Sequence, residues 1–200
     1  MNIFTLKKGV CGLIFAFSLP VAAQTSTFTD TRDGKTYRTV RIDGKTWMAE
    51  NLNYETEGSK CSDPDCMYGR LYDWNTAARV CPSNWRLPNN TDWDNLIQET
   101  GGNKVAGRVL KAQTGWHINK KGEGNGTDDY NWAALPGGRL GRTRFSAFDD
   151  VGKYGNWWSA TENKRLEDVY YYDYYQIGVG ASVRKTNTHV RDGLSVRCVQ

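Results

Sequence analysis

Few side chains in this sequence of 200 residues are placed for acid–base or nucleophilic work. The only histidines, His117 and His189, stand in separate loop-like stretches. Neither has a serine or cysteine nearby in a recognisable nucleophile setting. Asp128 and Asp129 are adjacent carboxylates, but neighbours in a turn point apart, which suits turn hydrogen bonds better than paired general acid and base. Together with backbone carbonyls they could hold a structural calcium, since hard cations prefer clustered oxygens. The conspicuous side chains are aromatic. Tyr170, Tyr171, Tyr172, Tyr174 and Tyr175 crowd one segment, more tyrosine than one core face needs, so some are expected at the surface. Tyrosine supplies rigid, amphipathic contact area at low entropy cost. The chemistry this points to is recognition. Tyr170, Tyr172, Tyr174, Trp158, Trp132 and Asp128 form the expected ligand patch, for a glycan or a surface protein.

The cysteines need an oxidising compartment, and the N-terminus points to one. Lys7 and Lys8 precede a mostly apolar run from Val10 to Leu19, and Pro20 and Val21-Ala22-Ala23 follow. This reads as a signal peptide over residues 1–23, cut before Gln24. The run is short of the ~20 residues a membrane span needs, and no other stretch reads as one. Export leaves Cys61, Cys66, Cys81 and Cys198, an even set that favours two disulfides. Three pairings are open. Cys61 and Cys66 flank the turn-forming Ser62-Asp63-Pro64-Asp65, so a local bridge is easy, and it leaves Cys81 to Cys198. The rival, a four-cysteine zinc site, is disfavoured by the wide 61/66 spacing and the isolation of Cys198. A formal charge of +4 without a basic block gives no nucleic-acid footprint. With 21 Gly, 8 Trp and 11 Tyr, and a mean hydropathy of −0.68, the chain reads as a loop-rich extracellular domain.

The elements that must position these groups centre on Tyr72 to Ile97. Trp74, Ala77, Ala78 and Cys81 share one helical face, with Asp73 as cap and Pro82 as stop. Trp85-Arg86-Leu87 reads as extended before Pro88. Asn89 starts a second helix with Asp92 three residues on; Trp93, Leu96 and Ile97 make its stripe, and Gly101-Gly102 ends it. A third helix is expected over Lys104–Lys111, capped by Asn103. Upstream, Thr25 to Asp30 reads as polar and mobile, and a hairpin over Tyr37–Ile42 and Lys45–Met48 turns at Asp43-Gly44. Thr114 to Gly141 is loop-like. Strands follow over Asn156–Thr161, Val169–Gln176, Ala181–Lys185 and Leu194–Val199. No repeat or linker divides the chain, so residues 24–200 are one domain.

A set of ordered motifs carries a family resemblance. They are Trp47-Met48-Ala49-Glu50-Asn51-Leu52-Asn53-Tyr54, Tyr68-Gly69-Arg70-Leu71-Tyr72-Asp73-Trp74, Cys81-Pro82 with Trp85-Arg86-Leu87-Pro88, Trp157-Trp158-Ser159-Ala160-Thr161-Glu162, and Ser195-Val196-Arg197-Cys198-Val199. Together with Asn125 to Tyr130 and Ala134 to Gly138 between them, they resemble the Fibrobacter succinogenes major paralogous domain over nearly the whole chain after residue 28. That family implies export and surface association, without an established activity. A more distant similarity to formylglycine-generating-enzyme-like proteins, through Trp85-Arg86-Leu87-Pro88, Trp93 and Trp157-Trp158, implies an α+β, C-type-lectin-like domain. Such a domain has antiparallel strands, two to three helices and a long loop region, with Trp74, Trp85, Trp93 and Trp157 mostly core. The reactive cysteines of those enzymes have no counterpart between Ala181 and Ser195. The calcium-dependent sugar motifs of the lectins are also missing. The expected function is therefore a secreted or cell-surface, non-catalytic binding or adhesion module. A structural envelope domain is the first alternative, and an enzyme on the same fold the second.

Overall fold

A computed structural model describes residues 24–141, 147–166 and 169–200. The expected signal peptide lies outside the described residues. In chain order the elements are Thr25–Thr29 (β1), Thr36–Ile42 (β2), Lys45–Met48 (β3), Lys60–Cys61 (β4), Arg70–Tyr72 (β5), Trp74–Val80 (α1), Asn90–Glu99 (α2) and Ala106–Leu110 (α3). The remainder are strands: Arg139–Leu140 (β6), Phe148–Asp149 (β7), Gly155–Leu166 (β8), Val169–Ile177 (β9), Val183–His189 (β10) and Leu194–Ser195 (β11). The domain is α+β, mostly antiparallel, with short helices.

β1, β2 and β3 form one sheet. The β2–β3 turn uses Asp43 and Gly44 at φ 49° and 70°, the left-handed geometry that matches strand twist in a tight hairpin. Thr25 to Thr29 is not the mobile segment its polarity suggested. It is the edge strand, registered on β2 from Thr25↔Val40 to Thr29↔Thr36. Threonine favours extended backbone, and Phe28 anchors the strand on Trp85, ring centroids 5.1 Å apart.

The larger sheet runs β10-β9-β8-β11-β5-β4, with β11 parallel to β8 and the other pairs antiparallel. It is covered on both faces. Successive side chains of a strand point to opposite sides, so β8 sends Trp157 into one core and Trp158 into the other. The Trp157 core holds Trp93, Leu96 and Ile97 of α2 and Val109 and Leu110 of α3. The Trp158 core holds Ala77 and Val80 of α1, with Trp85 and Leu87.

The helix signals are local and hold. The Asp73 carboxylate accepts from the Thr76 amide at 2.8 Å. Asn89 and Asp92 exchange both capping-box bonds, at 3.0 and 2.8 Å. Asp92 is also gripped by both Nη atoms of Arg86, at 2.5 and 2.9 Å. The extents differ in places. α1 ends at Val80, so its buried face is Ala77 and Val80, and Ala78 is exposed. α3 starts only at Ala106, without a side-chain cap. β8 and β10 run on to Leu166 and His189, because each has an antiparallel partner in β9 along its length.

The four cysteines form Cys61–Cys66 and Cys81–Cys198, Cα atoms 5.1 and 5.8 Å apart, which removes the zinc alternative. The second bridge ties the end of α1 to the C-terminal segment after β11, which covers only Leu194–Ser195 of the strand expected over Leu194–Val199. Gln200 and Thr46 exchange backbone hydrogen bonds at 3.1 and 2.8 Å, closing the N-terminal sheet against the C-terminus. Among the described residues no helix is long and apolar enough to cross a membrane.

Candidate functional site

The expected aromatic patch does not assemble. Trp132 and Trp158 are fully buried, in different cores. Tyr172 and Tyr174 are buried at 9% and 7% exposure, beside Trp158 on the α1 side, and Tyr172 stacks on Trp74 at 3.5 Å. Tyr175 is buried on the other side, its hydroxyl donating to Asp94 at 2.7 Å. The physical reason is the double covering of the sheet: β9 lies inside it, so alternate tyrosines enter alternate cores. Tyr170 and Tyr171 remain half-buried. Asp128 lies elsewhere, its carboxylate accepting from the Ala133 amide at 2.7 Å, and desolvation pushes its pKa up. Asp129 beside it is exposed. No cluster of three metal-ligating side chains occurs among the described residues.

What converges instead is a polar hub. Asn51 is buried, and its Oδ1 accepts from Trp157 Nε1 at 2.8 Å and from Arg197 Nε at 2.9 Å. Its Nδ2 donates to the Tyr68 carbonyl at 2.8 Å. Arg197 is completely buried and donates further to the carbonyls of Met48, Trp132 and Ala133, with its guanidinium over the Trp132 ring at 3.9 Å. Desolvation pulls its pKa down to about 9, which still leaves it charged at neutral pH. A buried charge is tolerated only when its donors are satisfied, and here neutral oxygens and an aromatic face satisfy them.

The hub fixes the floor of a groove. Backbone bonds from Met48 to Cys198 and from Leu52 to Val196, at 3.0 and 2.9 Å, lock the Met48–Leu52 segment on the C-terminal segment that follows β11. Gly69, at φ 76°, lets the chain pass over Asn51: a Cβ there would lie 2.7 Å from the Asn51 Cβ. The groove encloses about 280 Å³ between Lys35, Tyr37, Glu50, Asn53, Met67 and Tyr68. Met67 is 66% exposed and Tyr68 half-buried. The Asn53 backbone is pinned: its N–H donates to the Tyr37 hydroxyl at 3.1 Å, and its carbonyl accepts from Lys35 Nζ at 2.5 Å. Burial pushes the Tyr37 phenol up to about 12, so it stays protonated. The Asn53 Oδ1, in contrast, is buried without a partner.

None of these groove residues carries a chemical signal on its own in the sequence. The one available signal was that Glu50, Asn53 and Tyr68 fall in the motifs Trp47–Tyr54 and Tyr68–Trp74, which meet here; Lys35, Tyr37 and Met67 lie outside both.

No curated protein and no solved structure matches this sequence. The family model described as the Fibrobacter succinogenes major domain matches residues 40–200, which takes in the hub, both disulfides and the groove apart from its wall at Lys35 and Tyr37, and the chain belongs to that family.

Proposed function

We propose that this chain is an exported, non-catalytic binding module, and that the Tyr68 groove takes a saccharide. The observation that carries the reading is the buried, unpartnered Oδ1 of Asn53 in a groove that also offers a half-buried phenol ring, the Glu50 carboxylate and the Lys35 ammonium. A buried acceptor without a donor costs ~1–3 kcal/mol, and a ligand hydroxyl is the donor that relieves it. A tyrosine face packs on the C–H face of a sugar ring, while its hydroxyl bonds at the rim. Two disulfides suit an oxidising, extracellular setting. The bridge from the end of α1 to the C-terminal segment and the long loop between α3 and β6 support the finer assignment to a C-type-lectin-like fold.

The test is a glycan array probed with residues 24–200, with and without chelator. Retention on a defined set of glycans, lost in Tyr68→Ala, is the expected result. Retention that falls with chelator would add a calcium to the site. Binding only to a cell-surface protein fraction, or no binding beside a stable dimer, would replace the reading with the adhesion or envelope alternative.

A further inference from the structure

We infer that the ligand is an extended neutral polysaccharide that crosses the Cys61–Cys66 loop into a second, polar subsite; this rests on the saccharide reading of the Tyr68 groove. The second groove, about 560 Å³, is lined by Glu55, Ser59, Lys60, Ser62, Asp63 and Arg70 around the disulfide, and the two grooves meet at Cys66. Three of its side chains carry buried polar atoms without a partner: Ser62 Oγ, Asp63 Oδ2 and Arg70 Nε. Asp63 and Arg70 are each bonded through some of their polar atoms, while Asp63 Oδ2 and Arg70 Nε are buried without a partner. Asp63 Oδ1 accepts from the Met67 amide at 2.9 Å. Arg70 Nη2 pairs with Glu55 at 2.8 Å, and its Nη1 donates to Ser59 Oγ at 3.3 Å.

The unused set is one N–H donor, one carboxylate acceptor and one hydroxyl that can do both. An anionic ligand would be repelled by Asp63 and a cationic one by Arg70. A neutral polyol suits both, because each hydroxyl accepts from the guanidinium side and donates to the carboxylate side. Charge-assisted bonds of this kind are stronger than neutral ones. Because Cys66 belongs to both walls, one ligand that fills both grooves has to be a chain of sugar units.

The experiment is affinity electrophoresis of residues 24–200 against β-glucan, xylan, mannan and galactan. Titration follows with oligosaccharides of one to six units cut from whichever polymer retards the protein. Affinity is expected to rise at least tenfold between the short and the long oligosaccharides. Asp63→Asn keeps the Oδ1 acceptor and turns the free acceptor into a donor. It is expected to erase that gain and to leave the shortest ligand unchanged; Ser62→Ala, which removes an Oγ that holds no hydrogen bond, is expected to reduce the gain. Equal affinity for short and long ligands, with both variants silent, overturns the second subsite and leaves the Tyr68 groove standing. No retardation by any polymer overturns the saccharide reading itself, and the second subsite with it.

Discussion

Asn51 and Arg197 stand 146 residues apart in sequence, yet the Asn51 Oδ1 accepts from the Arg197 Nε at 2.9 Å inside the protein. This contact joins the segment that floors the groove to the C-terminal segment that closes the domain. With Trp157 Nε1 on the same oxygen, it pairs the N–H groups of two large buried side chains.

Asn51→Leu removes that oxygen and leaves a buried guanidinium N–H and an indole N–H facing an apolar side chain. The expected loss is ~3–5 kcal/mol, the range for stripping a partner from a buried charge. Urea denaturation of wild type and variant measures it, and a loss below ~1 kcal/mol would mean that the hub is dispensable.

Gly69→Ala probes the same junction from the other side. The added methyl meets the Asn51 Cβ at 2.7 Å, and the backbone sits at φ 76°, where side chains are disfavoured. A destabilisation of ~1–3 kcal/mol follows, together with weakened ligand retention, since the clash lies in the groove wall. Thermal melts and affinity electrophoresis read the two effects separately.

The two disulfides should differ in kind. Cys81–Cys198 closes a separation of 117 residues, so its removal costs ~4–5 kcal/mol in the chain-entropy picture. Cys61–Cys66 spans a separation of 5, and its removal costs ~2 kcal/mol. The small bridge nevertheless walls both grooves. Its double serine variant is expected to melt only slightly lower and yet to lose ligand retention, whereas the Cys81/Cys198 variant melts far lower.

Acid should expose the capping network. Burial pushes the Asp92 carboxyl up, but the Arg86 guanidinium and the Asn89 amide outweigh it and hold the pKa below the ordinary 3.8. Arg32 holds Asp30 below 3.8 in the same way. Between folded and unfolded values the unfolded chain binds more protons, so stability rises with pH there. The contribution is complete above about pH 5 and is lost as pH falls through the folded values. Urea midpoints from pH 7 down to pH 2 should therefore drop for wild type. Asp92→Asn should start lower and fall less.

What could be read from the sequence was local. Asp73 and Asn89 reveal their helices because a cap needs only a few consecutive residues, and Asp43-Gly44 reveals its hairpin for the same reason. Cys61 and Cys66 pair across their own turn. The tyrosines of β9 mislead because their burial depends on both faces of the sheet being covered, a fact about distant segments. Thr25 to Thr29 misleads because its pairing partner, not its own hydrophobicity, makes it a strand. The groove was the least legible part. Lys35, Asn53 and Tyr68 are ordinary residues until Asn51 and Arg197 draw their segments together.

Under the proposed function, saccharide binding in the groove depends most directly on Tyr68. Affinity electrophoresis in gels containing neutral polysaccharide, run with wild type and Tyr68→Ala at matched thermal stability, is the deciding measurement. The account predicts retarded migration of the wild type by at least one polymer and free migration of the variant. Equal migration of the two proteins in every gel would contradict it.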